Sequence, residues 1–199
     1  MTKMRSDICK QKIEGKPIPY PQGLEEIYLC KDCFSYLQNA KPSEVTDIYW
    51  IYAIRKRGRY PKAIPRSGKW LIFVDPENVD EVWPKIKKAV EEGKLGNSAK
   101  VSTAKPNPLA GKSRAHVICV YTYDWTDEND VKRIREKLRK LGITNKISYK
   151  ADEDTLKGKY RITGHRRISK YYEWYLFRFL KFFSFDGTVV AKNILVQND

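Results

Sequence analysis

The chain has 199 residues, 41% hydrophobic and 13% aromatic, enough for one large domain with a real core, which excludes global disorder. Its 39 Lys and Arg against 24 Asp and Glu leave a formal charge of +15, spread along the whole length rather than collected in a tail, so polyanions such as RNA, DNA or nucleotides suit it as partners. No apolar run approaches the roughly 20 residues that cross a bilayer, the polar stretch Met1 to Lys12 has no apolar signal core, and four cysteines make no disulfide framework. These features read as a cytoplasmic protein with reduced thiols and no membrane association. A Lys-rich solvated surface of the thermophile kind is the plain alternative for the charge, although here acids do not balance the bases.

Residues 1–24, with Gly15, Pro17, Pro19, Pro21 and Gly23, read as an extended arm. Leu24, Ile27, Phe34 and Leu37 share a helical face and predict a helix over Leu24 to Leu37, ended before Lys41-Pro42. Asp47 to Arg55 is rich in Ile, Tyr and Trp and predicts a strand. It runs into the basic loop Arg55-Lys56-Arg57-Gly58-Arg59, which is either a phosphate-contacting loop or a solvated turn.

Trp70 to Val74 is a dense β-forming run that stops at Asp75-Pro76, an N-cap followed by proline in the first helical turn. The apolar stripe Val79, Val82, Trp83, Ile86, Ala89 and Val90 then predicts an amphipathic helix closed near Gly93. Ala99 to Thr103 alternates, placing Lys100 and Ser102 on one face of a short strand. His116 to Tyr123 is nearly all apolar and predicts a central, doubly covered strand. Thr126 or Asp127 caps a second helix carrying Val131, Ile134, Leu138 and Leu141, closed by Gly142. Ile147 to Lys150 is a further strand, followed by a turn through Asp152-Glu153-Asp154. Ile168 to Phe183, crowded with rings, reads as an aromatic helix serving as core or interface, with Thr188 to Val196 as a closing strand. This order predicts an α+β domain with helices on one face of a mostly antiparallel sheet. Its parts are an arm and helix over 1–45, a core over 46–165, and the aromatic helix and closing strand over 166–199, packed on the core.

Ser67-Gly68-Lys69-Trp70-Leu71-Ile72-Phe73, Gly93-Lys94-Leu95-Gly96, Ala99-Lys100-Val101-Ser102-Thr103, His116-Val117-Ile118-Cys119-Val120-Tyr121-Thr122, Tyr149-Lys150-Ala151-Asp152 and Gly158-Lys159-Tyr160 resemble, in order and spacing, the basophilic leukaemia expressed protein family. The resemblance spans roughly Trp50 to Tyr172. It implies a curved antiparallel sheet backed by helices, like that of the cap-binding translation initiation factor 4E. It also implies a distant likeness to phosphothreonine lyases, in which Lys100 takes the place of the catalytic base and Lys69 that of a phosphate-holding lysine. The histidine such a lyase carries two residues after that lysine is Leu71 here, which favours binding over catalysis.

The leading expectation is therefore a phosphate-recognising binding domain for RNA or a nucleotide. Its basic sheet face comprises Lys69, Lys100, Lys150 and Arg161, with Arg55, Arg57 and Arg59 from the loop and Trp70 as a flanking ring. A lyase-like enzyme using Lys100 is the alternative, as is a subunit of a ribonucleoprotein complex with a protein partner on the aromatic helix. His116, at the start of a buried strand, reads as a core histidine. Cys30-Lys31-Asp32-Cys33 has zinc-compatible spacing and Cys9 adds a third thiol, but no second CxxC or nearby histidine completes a tetrahedron. Neither a metal nor a cofactor is expected.

Overall fold

The fold is taken from a computed structural model that describes residues 4–22, 25–107, 113–158, 169–176, 179–183 and 189–190. Ten strands are present among them: β1 Ile18–Gln22, β2 Glu25–Leu29, β3 Trp50–Ile54, β4 Gly68–Val74, β5 Ser98–Ser102, β6 His116–Thr122, β7 Ser148–Ala151, β8 Tyr171–Leu176, β9 Phe179–Phe183 and β10 Val189–Val190. Four helices accompany them: α1 Lys31–Asn39, α2 Pro76–Glu91, α3 Glu128–Lys140 and α4 Asp152–Leu156. Eight strands form one sheet in the order β10-β9-β8-β7-β4-β6-β5-β3, and every pairing in it is antiparallel. The predicted α+β class with a mainly antiparallel sheet is the class observed.

Strand alternation divides the sheet into two unlike faces. One carries Ile51, Ala53, Trp70, Ile72, Ala99, Val101, Ile118, Val120 and Tyr149, all buried in a single core. Against it lie the α2 stripe of Val79, Trp83, Ile86, Ala89 and Val90, and the α3 stripe of Val131, Ile134 and Leu138. Asp75 and Pro76 open α2 as the sequence predicts, and Asp127 caps α3 by accepting the Asp130 N–H. The other face carries the alternate residues of the same strands.

Trp70 belongs to the first face. It is fully buried, and its indole N–H donates to the Val131 carbonyl at 3.1 Å. The expected flanking ring of a ligand site is thus a core anchor, because residue 70 is one step out of phase with Lys69.

One predicted helix is a strand in its first half, and the aromatic one is strand over Tyr171–Leu176 and Phe179–Phe183. Glu25–Leu29 pairs antiparallel with Ile18–Gln22 as a separate ribbon, and helix begins only at Lys31, where the Cys30 sulfur accepts the Cys33 N–H. The prolines of the arm are compatible with such a two-stranded edge ribbon, where a missing N–H disrupts no inner ladder. The aromatic segment forms β8 and β9, with Tyr172 opposite Phe183 and Leu176 opposite Phe179. Tyr, Trp and Phe suit a pleated strand better than a helix, and local hairpin pairing supplies their hydrogen bonds. Asp152, Glu153 and Asp154, read as a turn, begin the short helix α4. Of the predicted closing strand, Val189–Val190 is described and paired with β9; the remainder lies outside the described residues.

The arm also finishes the edge of the sheet. Gln22 accepts the N–H groups of Tyr49 and Trp50 at 2.8 and 3.2 Å and donates to the Trp50 carbonyl at 2.9 Å, while the Tyr20 hydroxyl accepts the Tyr52 N–H at 2.9 Å. Side chains from β1 thereby occupy backbone groups on the outer edge of β3.

Candidate functional site

The face turned away from α2 and α3 collects the lysines. Lys69 stands opposite Lys150 across β4 and β7 and opposite Tyr121 across β4 and β6. One row further along, Tyr52, Lys100, Cys119 and Leu71 lie side by side on β3, β5, β6 and β4. Three of the predicted site residues, Lys69, Lys100 and Lys150, thus come together on one face from strands far apart in sequence. The strand His116–Thr122 is central but not sandwiched between apolar layers, since Val117 and Tyr121 are half-exposed on the lysine face.

Burial makes these lysines unusual. Lys69 and Lys150 are 6% and 3% exposed, whereas lysine is almost never buried unless paired. The Lys69 ammonium donates to the Asp152 carboxylate and, at 2.9 Å, to the Thr155 hydroxyl, both on α4; Asp152 also accepts from the Ser67 hydroxyl at 2.7 Å. Burial, and next the charge of Lys69, lower the pKa of Lys150 to about 8, with Asp154, Cys119 and Asp152 acting the other way.

Lys100 is flanked by rings: its ammonium is 3.9 Å from the Trp50 ring centre and 5.8 Å from that of Tyr52, within cation–π range. It has no carboxylate partner among the described residues. Burial lowers its pKa, and nearby Lys69 adds to the effect. Between the lysines, burial raises the pKa of the Cys119 thiol, despite the neighbouring cations. The face therefore presents cations beside aromatic rings, the combination needed to meet phosphate and a planar base together.

The other expected residues separate from this group. Arg55 donates to the carbonyls of Gly96, Arg57 and Leu95, at 3.4 and 3.1 Å for the first two, so it clamps the loop. Its charge is spent on backbone oxygens because the β3 exit crosses the α2 to β5 connection. Arg57 and Arg59 are exposed on that loop, just beyond Ile54 of the lysine face. Arg161 lies outside the described residues. His116 is buried, with Nδ1 2.7 Å from the Ser102 carbonyl, and has the structural role expected of it. Asp152, Thr155, Cys119, Tyr52 and Tyr121 were not legible as site residues: their association with Lys69 and Lys100 depends on long-range strand register, for which no local spacing exists.

Comparison with known proteins finds similar solved structures and one family model. Solved structures similar to the chain include C. elegans eIF4E-3 in complex with the 4E-binding protein Mextli and a cap analog, at 22% identity and TM-score 0.46, covering 69% of this chain and 82% of that one. Schistosome eIF4E with m7GpppA and 4E-BP is similar at 17% identity and TM-score 0.49, covering 75% and 84%. Ascaris suum eIF4E-3 with m7G cap is similar at 19% identity and TM-score 0.42, covering 64% and 76%. Residues 62–155 match the family model described as basophilic leukemia-expressed protein Bles03. That segment carries β4 to β7 with Lys69, Lys100 and Lys150.

Proposed function

We propose that the chain is a phosphate-recognising binding domain whose ligand is RNA or a nucleotide, held on the lysine face. The observation that carries this reading is the convergence of Lys69, Lys100 and Lys150 on one face, with Lys69 and Lys150 buried directly opposite each other. Two ammonium groups so placed repel, and a dianion entering beside them relieves that repulsion as well as gaining its own contacts. Trp50 and Tyr52 flank Lys100, and the Tyr121 ring centre is 5.5 Å from the Lys69 ammonium, so rings stand beside the cations as stacking of a base next to a phosphate requires.

The test is equilibrium binding of a fluorescent single-stranded RNA and of a nucleoside triphosphate across a salt series. The expected result is an affinity that falls steeply with salt, with Lys100→Met weakening both ligands and Trp50→Ala weakening the base-containing ligands more than inorganic phosphate. No binding at low salt, or binding indifferent to both substitutions, overturns the proposal.

A second reading is favoured by one observation, the burial that lowers the pKa of Lys100, since burial destabilises its ammonium and a lysine amine can act as a base. In that reading the domain eliminates phosphate from phosphothreonine. Leu71, where an acid is needed, lies in the same cross-strand row. Mass spectrometry of a phosphothreonine peptide incubated with the protein decides it: loss of phosphoric acid that disappears in Lys100→Ala supports elimination, and an unchanged peptide excludes it.

A further inference from the structure

A second cluster of reactive side chains lies in the arm. The sulfurs of Cys9, Cys30 and Cys33 are all within 4.8 Å of one another, and those of Cys9 and Cys30 are 3.8 Å apart. The Ser6 hydroxyl, fully buried, is 3.4 Å from the Cys33 sulfur. Three sulfurs and one hydroxyl from two segments distant in sequence thus come together.

The backbone presents both segments in the same way. Ser6 to Gln11 forms a tight loop in which the Ser6 N–H donates to the Gln11 carbonyl and the Lys10 N–H to the Ser6 carbonyl, each at 2.9 Å, flanked by a bridge between Arg5 and Lys12. Lys10 adopts φ 59°, a left-handed conformation uncommon outside glycine. It lets the Gln11 N–H turn back onto the Cys9 sulfur. In the second loop the Cys33 N–H donates to the Cys30 sulfur at 3.4 Å. Each loop therefore aims a backbone donor at a sulfur, the outer-shell support that orients metal-bound thiolates.

Distances agree with a metal at the centre. Thiolates about 2.3 Å from a tetrahedral zinc stand about 3.8 Å apart, and an oxygen ligand at about 2.1 Å stands about 3.6 Å from a sulfur. The Cys9 to Cys30 and Ser6 to Cys33 separations are 3.8 and 3.4 Å. Ser6-x-x-Cys9 also repeats the spacing of Cys30-x-x-Cys33, with serine where a second CxxC has its first cysteine.

We propose that Cys9, Cys30 and Cys33 bind a zinc ion as thiolates, with the Ser6 hydroxyl at the fourth vertex. Soft thiolates select zinc over magnesium or calcium. Binding displaces thiol protons to solvent and involves no change of oxidation state. The exposed Cys9 gives the ion a way in. Bound there, zinc fastens the arm to the first turn of α1.

The experiment is metal analysis of the full chain purified without chelator from zinc-supplemented medium, together with cobalt substitution of the stripped protein. The expected results are about one zinc per chain, a thiolate-to-cobalt charge-transfer band, and loss of both in Cys9→Ser/Cys30→Ser. Ser6→Cys, which completes a four-thiolate set, is expected to hold zinc against a chelator longer than wild type. Should the double variant fail to fold, chelator titration of the wild type takes its place: zinc release accompanied by proteolytic cleavage within residues 4–22 supports the proposal. A folded wild-type chain without zinc and without a cobalt–thiolate band overturns it, as does zinc content that survives loss of Cys9 and Cys30.

Discussion

Asp152 sets the charge balance of the lysine face, so Asp152→Asn is the most informative substitution. The asparagine keeps the shape and its one oxygen can still accept from Lys69, with its NH2 turned to donate to the Ser67 hydroxyl, but it removes the only carboxylate bonded to Lys69 among the described residues. Breaking a buried pair from one side costs about 3–5 kcal/mol. Here Asp152 keeps a quarter of its side chain in solvent and the amide still accepts, so the expected loss is nearer about 2 kcal/mol. For a chain of this size that corresponds to a fall in Tm of about 4–8 °C. Inorganic phosphate then has more to offer the variant than the wild type, because it replaces the missing negative charge. At a concentration of about 100 times Kd it returns about 2.7 kcal/mol, enough to offset the loss. Thermal unfolding with phosphate, against chloride at equal ionic strength, measures both effects. An unchanged Tm in the variant, or equal phosphate increments in the two proteins, would refute the reasoning.

Three further outcomes are expected. Phosphate affinity should be greatest below pH 8 and decline above it, as Lys150, with its pKa near 8, loses its proton. The unliganded stability moves oppositely: between about pH 8 and the ordinary lysine value near 10.4 the unfolded chain binds more protons, so the cost of burying this ammonium is lifted as pH rises. Calorimetric titrations of the wild type and Lys150→Met across that range check the pair, and a pH profile unaltered by the substitution counts against it. Gly68→Ala should destabilise by about 2 kcal/mol or more, since an added Cβ would stand 2.7 Å from ring carbons of Tyr149, itself fully buried; urea unfolding reads the change, and a shift within error contradicts the packing argument. Lys100→Met should leave stability equal to or about 1 kcal/mol above wild type while binding weakens. A clear loss of stability there means the cation–π contacts with Trp50 and Tyr52 outweigh desolvation.

Local pattern revealed the helices α2 and α3 and the strands β3 to β7, because each has a period imposed by a single buried face, as in the stripe from Val79 to Val90. It also placed Lys69, Lys100 and Lys150 at strand positions that proved to share a face. The alternation that turns Lys69 toward this face sends Trp70 to the core, so the two could not serve one site. Local pattern failed where partners decide. Glu25–Leu29 became a strand because Ile18–Gln22 lies beside it, and Tyr171–Leu176 because Phe179–Phe183 folds back onto it. Ser6 could not be recognised beside the cysteines, since only the turn at Lys10 brings its hydroxyl to them.

The side chains that close the outer edge of β3 also bear on association. An uncovered edge offers a row of N–H and C=O groups to a strand from another molecule. In this chain Gln22 and Tyr20 hold those groups with side chains, so the arm acts as a removable guard rather than as a ninth strand. Loosening the arm, whether by cutting it or by freeing it at Cys9, Cys30 and Cys33, opens β3 to edge-to-edge pairing, so the tendency of the chain to associate is set in part by residues 4–22.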